Sequence, residues 1–328
     1  MKRIRPAGTV AALLALALAG CGDGIATTAD SDAASSFPMT IRNCGVEVTI
    51  EAPPERVVML KSAPVTYLQA LGVLDQVVVA RAGAYPDEYY DAETRAALAE
   101  IPLLTDRLDP SGHLQISREV VIAQRPDLVL GAVDNLNHET LAAVGIPVLE
   151  EPAMCPGGVP EPSFDDVAAQ MRRYGEIFGV PERGEQAATQ IEERLAEITA
   201  RVSPDETRTA AVLYPTVGGG VTYAYGTRSM AHPQLEAAGF TNVFADVDER
   251  VFEVSREELI GRNPDVLILL YSDGDPAAVK EAVTSMAGAD AITAVANDDI
   301  LVQLFNFTEP PSPLSLDGLE RIVEAFAQ

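Results

Sequence analysis

Three cysteines carry the chemistry that the sequence specifies most directly, and the first of them follows a short apolar segment. Basic residues near the start precede an apolar stretch at residues 7–19, and small residues then lead to Cys21. This layout is typical of a secretory signal. It predicts a signal peptide at residues 1–20, lipidation of Cys21 as in a lipobox, and a flexible tether at residues 21–36. The alternative is a plain signal peptide with a coincidental cysteine.

The other two cysteines, Cys44 and Cys155, have no CxxC partner and no metal-ligand spacing. In an exported chain an even pair is expected to form a disulfide. A reactive thiol is the alternative.

The sequence has few of the residues and motifs that are typical of a metal site or of a familiar catalytic site. Its three histidines, His113, His138 and His232, are not paired at ligand spacing, so a zinc or manganese site is not expected. The chain contains no Gly-x-Ser-x-Gly, Walker A or Gly-x-Gly-x-x-Gly motif after a strand. We therefore expect a protein that is not an enzyme and that holds no resident cofactor or metal. A secreted hydrolase using scattered carboxylates stays as an alternative.

The net charge of the chain argues against one class of function, nucleic-acid binding. The 328 residues carry 23 Lys and Arg against 49 Asp and Glu, a formal net charge of -26. Nucleic-acid binding needs a basic face, so no nucleic-acid partner is expected.

Short apolar runs rich in β-branched residues alternate with helical stretches, which is typical of α/β layers with parallel sheets. Strands are predicted at residues 56–60, 76–80, 128–131, 147–149, 209–214, 221–225, 266–270 and 300–303. Helices are predicted at residues 63–71, 117–124 and 137–144.

An internal echo indicates two related lobes. Arg118-Glu119 leads to Arg-Pro-Asp-Leu-Val-Leu at residues 125–130, and Arg256-Glu257 leads to Asn-Pro-Asp-Val-Leu-Ile at residues 263–268. In both copies a helix ends before proline and a run suited to a strand buried on both faces follows.

A long segment at residues 182–202 separates the two copies and is predicted to form one rigid bridging helix. Its apolar stripe is Ala187, Ile191, Leu195 and Ile198. The predicted architecture is α/β, with two Rossmann-like lobes at residues 37–181 and 203–328 and a ligand cleft between them.

Several segments, in order, resemble the class III, helical-backbone substrate-binding lipoproteins of ABC importers, the group that captures ferric siderophores and cobalamin. The matching segments are Asn-Cys-Gly at 43–45, APPERVV at 52–58, RPDLVL at 125–130, HPQLEAAGFTNVFAD at 232–246 and NPDV at 263–266. The resemblance covers nearly all of the chain after the signal peptide.

The resemblance implies a ligand in the cleft, lined by loops at the carboxyl ends of the strands. Residues at or after strand ends are therefore the candidate contacts. They are Lys61, Ser62, Arg81, Tyr85, Asp134, Asn135, Tyr214, Tyr225, Arg228, Tyr271, Asn306 and Phe307. Guanidinium and phenol groups suit an anionic iron chelate, which presents oxygen acceptors and flat rings.

Arg228 is the one basic contact that the resemblance transfers to this chain. At two other positions where catecholate binders of the family carry Arg, this chain has Gly131-Ala132 and Tyr271. The departure puts a triply basic catecholate site in doubt and leaves hydroxamate, mixed siderophore, haem and corrinoid ligands open.

The family also docks on its permease through one acidic residue per lobe, and Glu119 and Glu257 occupy the matching positions. Stabilisation of the positive end of their own helices is the alternative role.

The expected protein is a lipid-anchored monomer on the extracytoplasmic face of the membrane. It would deliver an iron chelate to a two-subunit permease with a cytoplasmic ATPase. A haem- or cobalamin-binding protein of the same fold is the alternative.

Overall fold

The computed structural model describes residues 37–108, 114–203 and 208–326. The predicted signal peptide and the whole of the predicted tether, with Cys21, lie outside these ranges, as does His113. Across the described residues, none of the helices is both long and apolar enough to cross a lipid bilayer.

A four-stranded, all-parallel sheet in the order β4-β3-β5-β6 organises the first lobe. A short antiparallel hairpin, β1-β2, precedes it. The strands of this half are β1 Met39–Asn43, β2 Val46–Ile50, β3 Val57–Met59, β4 Val78–Arg81, β5 Leu128–Leu130 and β6 Val148–Leu149. The helices are α1 Pro64–Ala70, α2 Leu74–Val77, α3 Ala92–Glu100, α4 Arg118–Ile122, α5 His138–Ala142 and α6 Phe164–Ile177.

A six-stranded mixed sheet organises the second lobe, in the order β10-β8-β7-β11-β12, with β9 also paired to β7. Its strands are β7 Arg208–Pro215, β8 Thr222–Tyr225, β9 Phe240–Asn242, β10 Val251–Val254, β11 Val266–Tyr271 and β12 Ile300–Leu304. Its helices are α8 Ala231–Ala237, α9 Arg256–Arg262, α10 Pro276–Thr284, α11 Thr293–Asn297 and α12 Pro313–Phe326. The sheet departs from the predicted parallel arrangement in one respect: β8 runs antiparallel to both β7 and β10.

The predicted bridging helix is α7, Pro181–Thr199, which contacts α6 on one side and α12 on the other. Proline stands at its first turn, where the missing N–H costs no hydrogen bond. Ala187, Ile191 and Ile198 are buried as the predicted stripe requires, and Leu195 packs partly buried against the same core. The α6–α7 contact is close because glycines face each other there: a Cβ added to Gly175 would lie 2.7 Å from the Cα of Gly184.

The internal echo is a structural repeat. Arg125 and Asn263 occupy equivalent places after α4 and α9, and both adopt left-handed backbone angles, with φ of 50° and 46°. The aspartate two residues later has the same role in each copy. Asp127 accepts hydrogen bonds from the backbone N–H groups before β3, and Asp265 accepts one from Thr209 at the start of β7.

Alternate residues of the central strands enter different cores, which explains their continuous apolar runs. In β11, Ile268 and Leu270 belong to a large core shared with the helices α1, α6, α7 and α12, while Leu267 and Leu269 face a separate core on the other side of the sheet.

The predicted disulfide is present: Cys44, after β1, is bonded to Cys155 at a Cα–Cα distance of 4.9 Å. It joins the hairpin to the loop that follows β6.

Candidate functional site

A cleft of about 1130 Å³ lies between the two lobes and is lined by residues from both. The first lobe contributes Arg81 and Tyr85, at and after the end of β4. The second contributes Tyr214 near the end of β7 and Tyr271 at the end of β11. These four residues are the predicted contacts that the structure brings together. Each lies at or after the carboxyl end of a strand that pairs in parallel with its neighbour.

The first-lobe wall of the cleft is held in place by its own contacts. The Arg81 guanidinium lies 4.9 Å from the centre of the Tyr85 ring, and its Nε donates a hydrogen bond to the Leu98 carbonyl at 3.3 Å. The Tyr85 hydroxyl lies 3.3 Å from three backbone carbonyl oxygens, those of Met59, Lys61 and Ala82. Burial raises the pKa of the Tyr85 phenol, so it stays a neutral donor.

The opposite wall is also aromatic. The Tyr214 hydroxyl donates a hydrogen bond to Ser272 Oγ at 3.2 Å, and the Tyr214 ring meets Phe305 edge-on. Burial, and then the negative charge of Glu88 in the first lobe, raise the pKa of Tyr271. Neutral phenols offer a ligand aromatic faces, hydroxyl donors and hydroxyl acceptors.

Ser62 and Asn306 meet where the two lobes touch. Asn306 Nδ2 donates a hydrogen bond to Ser62 Oγ at 3.3 Å, and the Asn306 backbone N–H donates to the Tyr89 hydroxyl at 2.9 Å. Phe307 is buried beside Tyr89 and lines a separate cavity of about 570 Å³. These predicted contacts therefore join the lobes and do not line the large cleft.

Three further candidates in the first lobe are engaged elsewhere. The Lys61 ammonium pairs with the buried Glu150 carboxylate at 2.7 Å. Asn135 donates a hydrogen bond to the Ile116 carbonyl at 2.8 Å, and Asp134 is exposed, with its carbonyl bonded to Asn137. None of the three lines the cleft.

Tyr225 and Arg228 lie away from the cleft because β8 is antiparallel. Its amino end, not its carboxyl end, adjoins the end of β7, where Tyr223 pairs with Tyr214. Tyr225 is consequently buried in the core. Arg228 lines a different groove, where it donates a hydrogen bond to the Gly157 carbonyl at 3.4 Å, and this groove shares no lining residue with the cleft.

Sequence reasoning missed four cleft residues of clear chemistry. They are Tyr223, Glu88, Asp106 and Asp273. Asp273 follows Tyr271 by two residues, so strand-end position alone could have identified it. No sequence signal identifies Tyr223, since the direction of β8 depends on its pairing.

The two candidate docking glutamates occupy equivalent positions. Glu119 and Glu257 are exposed and are each the second residue of their helix, after Ser117 and Ser255. A hydrogen bond from its own backbone N–H lowers the pKa of Glu119, and the adjacent Arg256 lowers that of Glu257. Both side chains are therefore ionised at the surface, and that of Glu257 forms an ion pair with Arg256.

Known proteins are similar to this chain in structure or in sequence. A crystal structure described as the ABC-type Fe3+-hydroxamate transport system from Saccharomonospora viridis is 62% identical to the chain, with a TM-score of 0.84 over 89% of this chain and 100% of that one. The cobalamin-binding protein of Halobacterium salinarum is 27% identical over 307 residues, covering 91% of this chain and 76% of the relative. An ABC transporter substrate-binding lipoprotein of Bacillus subtilis is 26% identical over 97% of this chain and 96% of its own length.

The sequence profile described as "Periplasmic binding protein" matches residues 57–302, from the first strand of the four-stranded sheet to the last strand of the six-stranded one. That span contains every residue that lines the cleft except Leu304. The chain belongs to the periplasmic binding protein family, the extracytoplasmic substrate-binding proteins of ABC importers.

Proposed function

We propose that this protein captures a ferric siderophore of the hydroxamate class in the cleft and delivers it to a two-subunit ABC permease. The observation that carries the proposal is the cleft itself. Tyr85, Tyr214, Tyr223 and Tyr271 line it together with a single arginine among its described lining residues, Arg81. A tris-hydroxamate iron complex is compact, largely apolar at its edge and rich in oxygen acceptors, which phenols and one guanidinium can bind.

The similarity to the Saccharomonospora viridis protein supports the hydroxamate class, since its description names Fe3+-hydroxamate transport. The scarcity of basic groups also argues against a catecholate complex, whose high negative charge calls for several cations. The protein would act by binding and release, without catalysing a reaction.

Cobalamin is the second candidate ligand, and the relative from Halobacterium salinarum is the observation that favours it. The cleft volume of about 1130 Å³ suits a large ligand of either class. A haem ligand held by a tyrosine is the third, from the phenols in the same cleft.

Tyrosine fluorescence tests the ligand class directly, because the chain contains nine Tyr and no Trp. The purified protein is titrated with ferric hydroxamates, ferric catecholates, haem and cyanocobalamin. Iron-free siderophores and free tyrosine amide correct for absorption by the coloured ligands. We expect saturable quenching at sub-micromolar concentration by a ferric hydroxamate. Saturation by cobalamin or haem alone would replace the proposed ligand, and no saturation by any of them would refute a siderophore function.

A pair of variants locates the binding site. Tyr271→Phe removes a hydroxyl from the cleft, whereas Tyr225→Phe removes one from the core. We expect only Tyr271→Phe to weaken binding, by about 1 kcal/mol for one lost hydrogen bond. Equal effects would place the ligand elsewhere.

Membrane attachment completes the proposal. Signal-peptide removal before Cys21 and lipidation of that residue would hold the protein beside its permease as a monomer. Expression of Cys21→Ser in a lipoprotein-processing host should release the mature protein from the membrane fraction. Retention on the membrane would contradict the anchor.

A further inference from the structure

The walls of the cleft carry an excess of negative charge. Its charged lining residues, within the part of the chain that the structure describes, are one arginine, Arg81, and three carboxylates, Glu88, Asp106 and Asp273. One positive and three negative charges give a formal sum of -2. Glu88 and Asp106 belong to the first lobe and Asp273 to the second, so both walls are acidic.

One face and one nitrogen of the Arg81 guanidinium are already engaged by the protein. The guanidinium lies against the Tyr85 ring and its Nε bonds to the Leu98 carbonyl. The three carboxylates differ in this respect. All are exposed, and no cation of the described residues forms an ion pair with any of them. These three carboxylates therefore make the electrostatic potential of the cleft negative, and they are free to pair with a positive group of a ligand.

The negative charge reaches across the cleft. Glu88 lies in the first lobe and Tyr271 in the second, yet the Glu88 charge is, after burial, the largest cause of the raised pKa of Tyr271. A charge on a ligand between these walls would experience the same field, which salt weakens.

We propose that the cleft selects ferric hydroxamates by charge and prefers a chelate that carries a cationic group, such as a terminal ammonium. This inference rests on the proposed function and adds the feature that the ligand must have. Fe3+ bound by three monoanionic hydroxamates is a neutral core, so the charge of the complex is the charge of its pendant groups. The phenols contact the neutral core, and the carboxylates Glu88, Asp106 and Asp273 discriminate between pendant groups. An anionic chelate binds more weakly because the carboxylates repel it.

Three chelates with one iron core provide the test. They are a linear ferric trihydroxamate with a terminal ammonium, its N-acetyl derivative and its N-succinyl derivative, with net charges of about +1, 0 and −1 at neutral pH. We expect the ammonium form to bind about five-fold more tightly than the acetyl form, and the succinyl form more weakly again, as for a small number of solvent-exposed ion pairs. The differences should shrink between low salt and about 0.5 M salt.

The double variant Glu88→Gln with Asp273→Asn should bring the affinities for the three chelates together. Asp290→Asn is the control, because Asp290 is exposed and does not line the cleft. Thermal unfolding establishes that each variant is folded.

Equal affinity of the wild type for all three chelates, or a preference for the succinyl form, would overturn the charge selection and leave the siderophore function intact. Unchanged discrimination in the double variant would assign it to other residues and overturn the proposed role of these carboxylates. Failure of all three chelates to bind would instead refute the proposed function, and the charge selection with it.

Discussion

The Tyr89 hydroxyl accepts a hydrogen bond from the backbone N–H of Asn306 at 2.9 Å, across 217 positions of sequence. Tyr89 belongs to the first lobe, and Asn306 follows the last strand of the second. The contact lies beside the Ser62–Asn306 hydrogen bond, so two side chains of one lobe hold the same residue of the other. The position of the segment after β12 relative to the first lobe is thereby fixed.

Tyr89→Phe should loosen this contact without disturbing the first lobe. The substitution leaves the Asn306 N–H without its partner, at a cost of about 1–2 kcal/mol in the free energy of unfolding. Tyr90→Phe is the matched control, because the Tyr90 hydroxyl donates to the Ser62 carbonyl within the first lobe. Hydrogen exchange should accelerate at residues 305–309 in Tyr89→Phe only. The same exchange in both variants would contradict a role for Tyr89 in joining the lobes.

A buried carboxyl makes stability depend on pH. Burial raises the pKa of Glu151 from 4.5 to about 7, although the Tyr174 hydroxyl donates a hydrogen bond to it at 2.7 Å. Between these two pH values the folded protein keeps the proton and the unfolded chain releases it. The free energy of unfolding therefore falls as pH rises from about 4.5 to 7, by about 3 kcal/mol in total from this group.

Glu151→Gln should remove this dependence. Urea unfolding of the variant and the wild type should agree near pH 4.5, where Glu151 is protonated in the native state, and the variant should be more stable at pH 8. Glu197→Gln, on the exposed face of α7, should follow the wild type at both pH values. A variant less stable than the wild type at pH 8 would show that the carboxylate stabilises the fold.

The α6–α7 contact requires glycine. Gly175→Ala would place a methyl group 2.7 Å from the Gly184 Cα, too close for either backbone to accept, and should destabilise the protein by about 1–3 kcal/mol or more. Gly261→Ala in α9 meets no atom within 4 Å and should stabilise by about 0.5–1 kcal/mol through helix propensity. Thermal unfolding of both variants measures the contrast. A tolerated Gly175→Ala would mean that the two helices can separate at little cost.

Charge reversal at the docking glutamates should separate delivery from binding. Glu119→Lys with Glu257→Lys should abolish uptake of the iron chelate in cells carrying the permease, because both side chains are exposed and neither lines the cleft. Fluorescence titration should show that this double variant binds the ligand with the same affinity as the wild type. Glu139→Lys with Asp290→Lys makes the same change of charge at other exposed sites and should support uptake. Loss of ligand affinity in the first variant would disprove the docking role.

Arg81 and Arg228 should differ in their effect on ligand binding. Arg81→Ala removes the guanidinium that lines the cleft and should weaken binding of a neutral ferric trihydroxamate by about 1 kcal/mol or more. Arg228→Ala should change that affinity less than about two-fold, since Arg228 bonds to Gly157 in the other groove. A large effect of Arg228→Ala would extend the site into this groove, as the family resemblance implies.

The sequence by itself determined the elements that local physical chemistry dictates. Proline after α4 and α9 ended those helices, and the continuous apolar run at Val266–Tyr271 marked a strand buried on both faces. The spacing of Ala187, Ile191 and Ile198 predicted the stripe of α7. The glycine contact with α6 carried no comparable signal, because it depends on which helix lies opposite.

Tertiary structure decided which side chains share the cleft. Position after a strand identified Arg81, Tyr85, Tyr214 and Tyr271, because their strands pair in parallel within each sheet and end at the edge that faces the cleft. The same rule failed to place Tyr225 and Arg228 there, since β8 is antiparallel and its amino end, with Tyr223, adjoins that edge. Strand direction follows from hydrogen bonds between segments distant in the chain, and neither composition nor spacing within one segment encodes it.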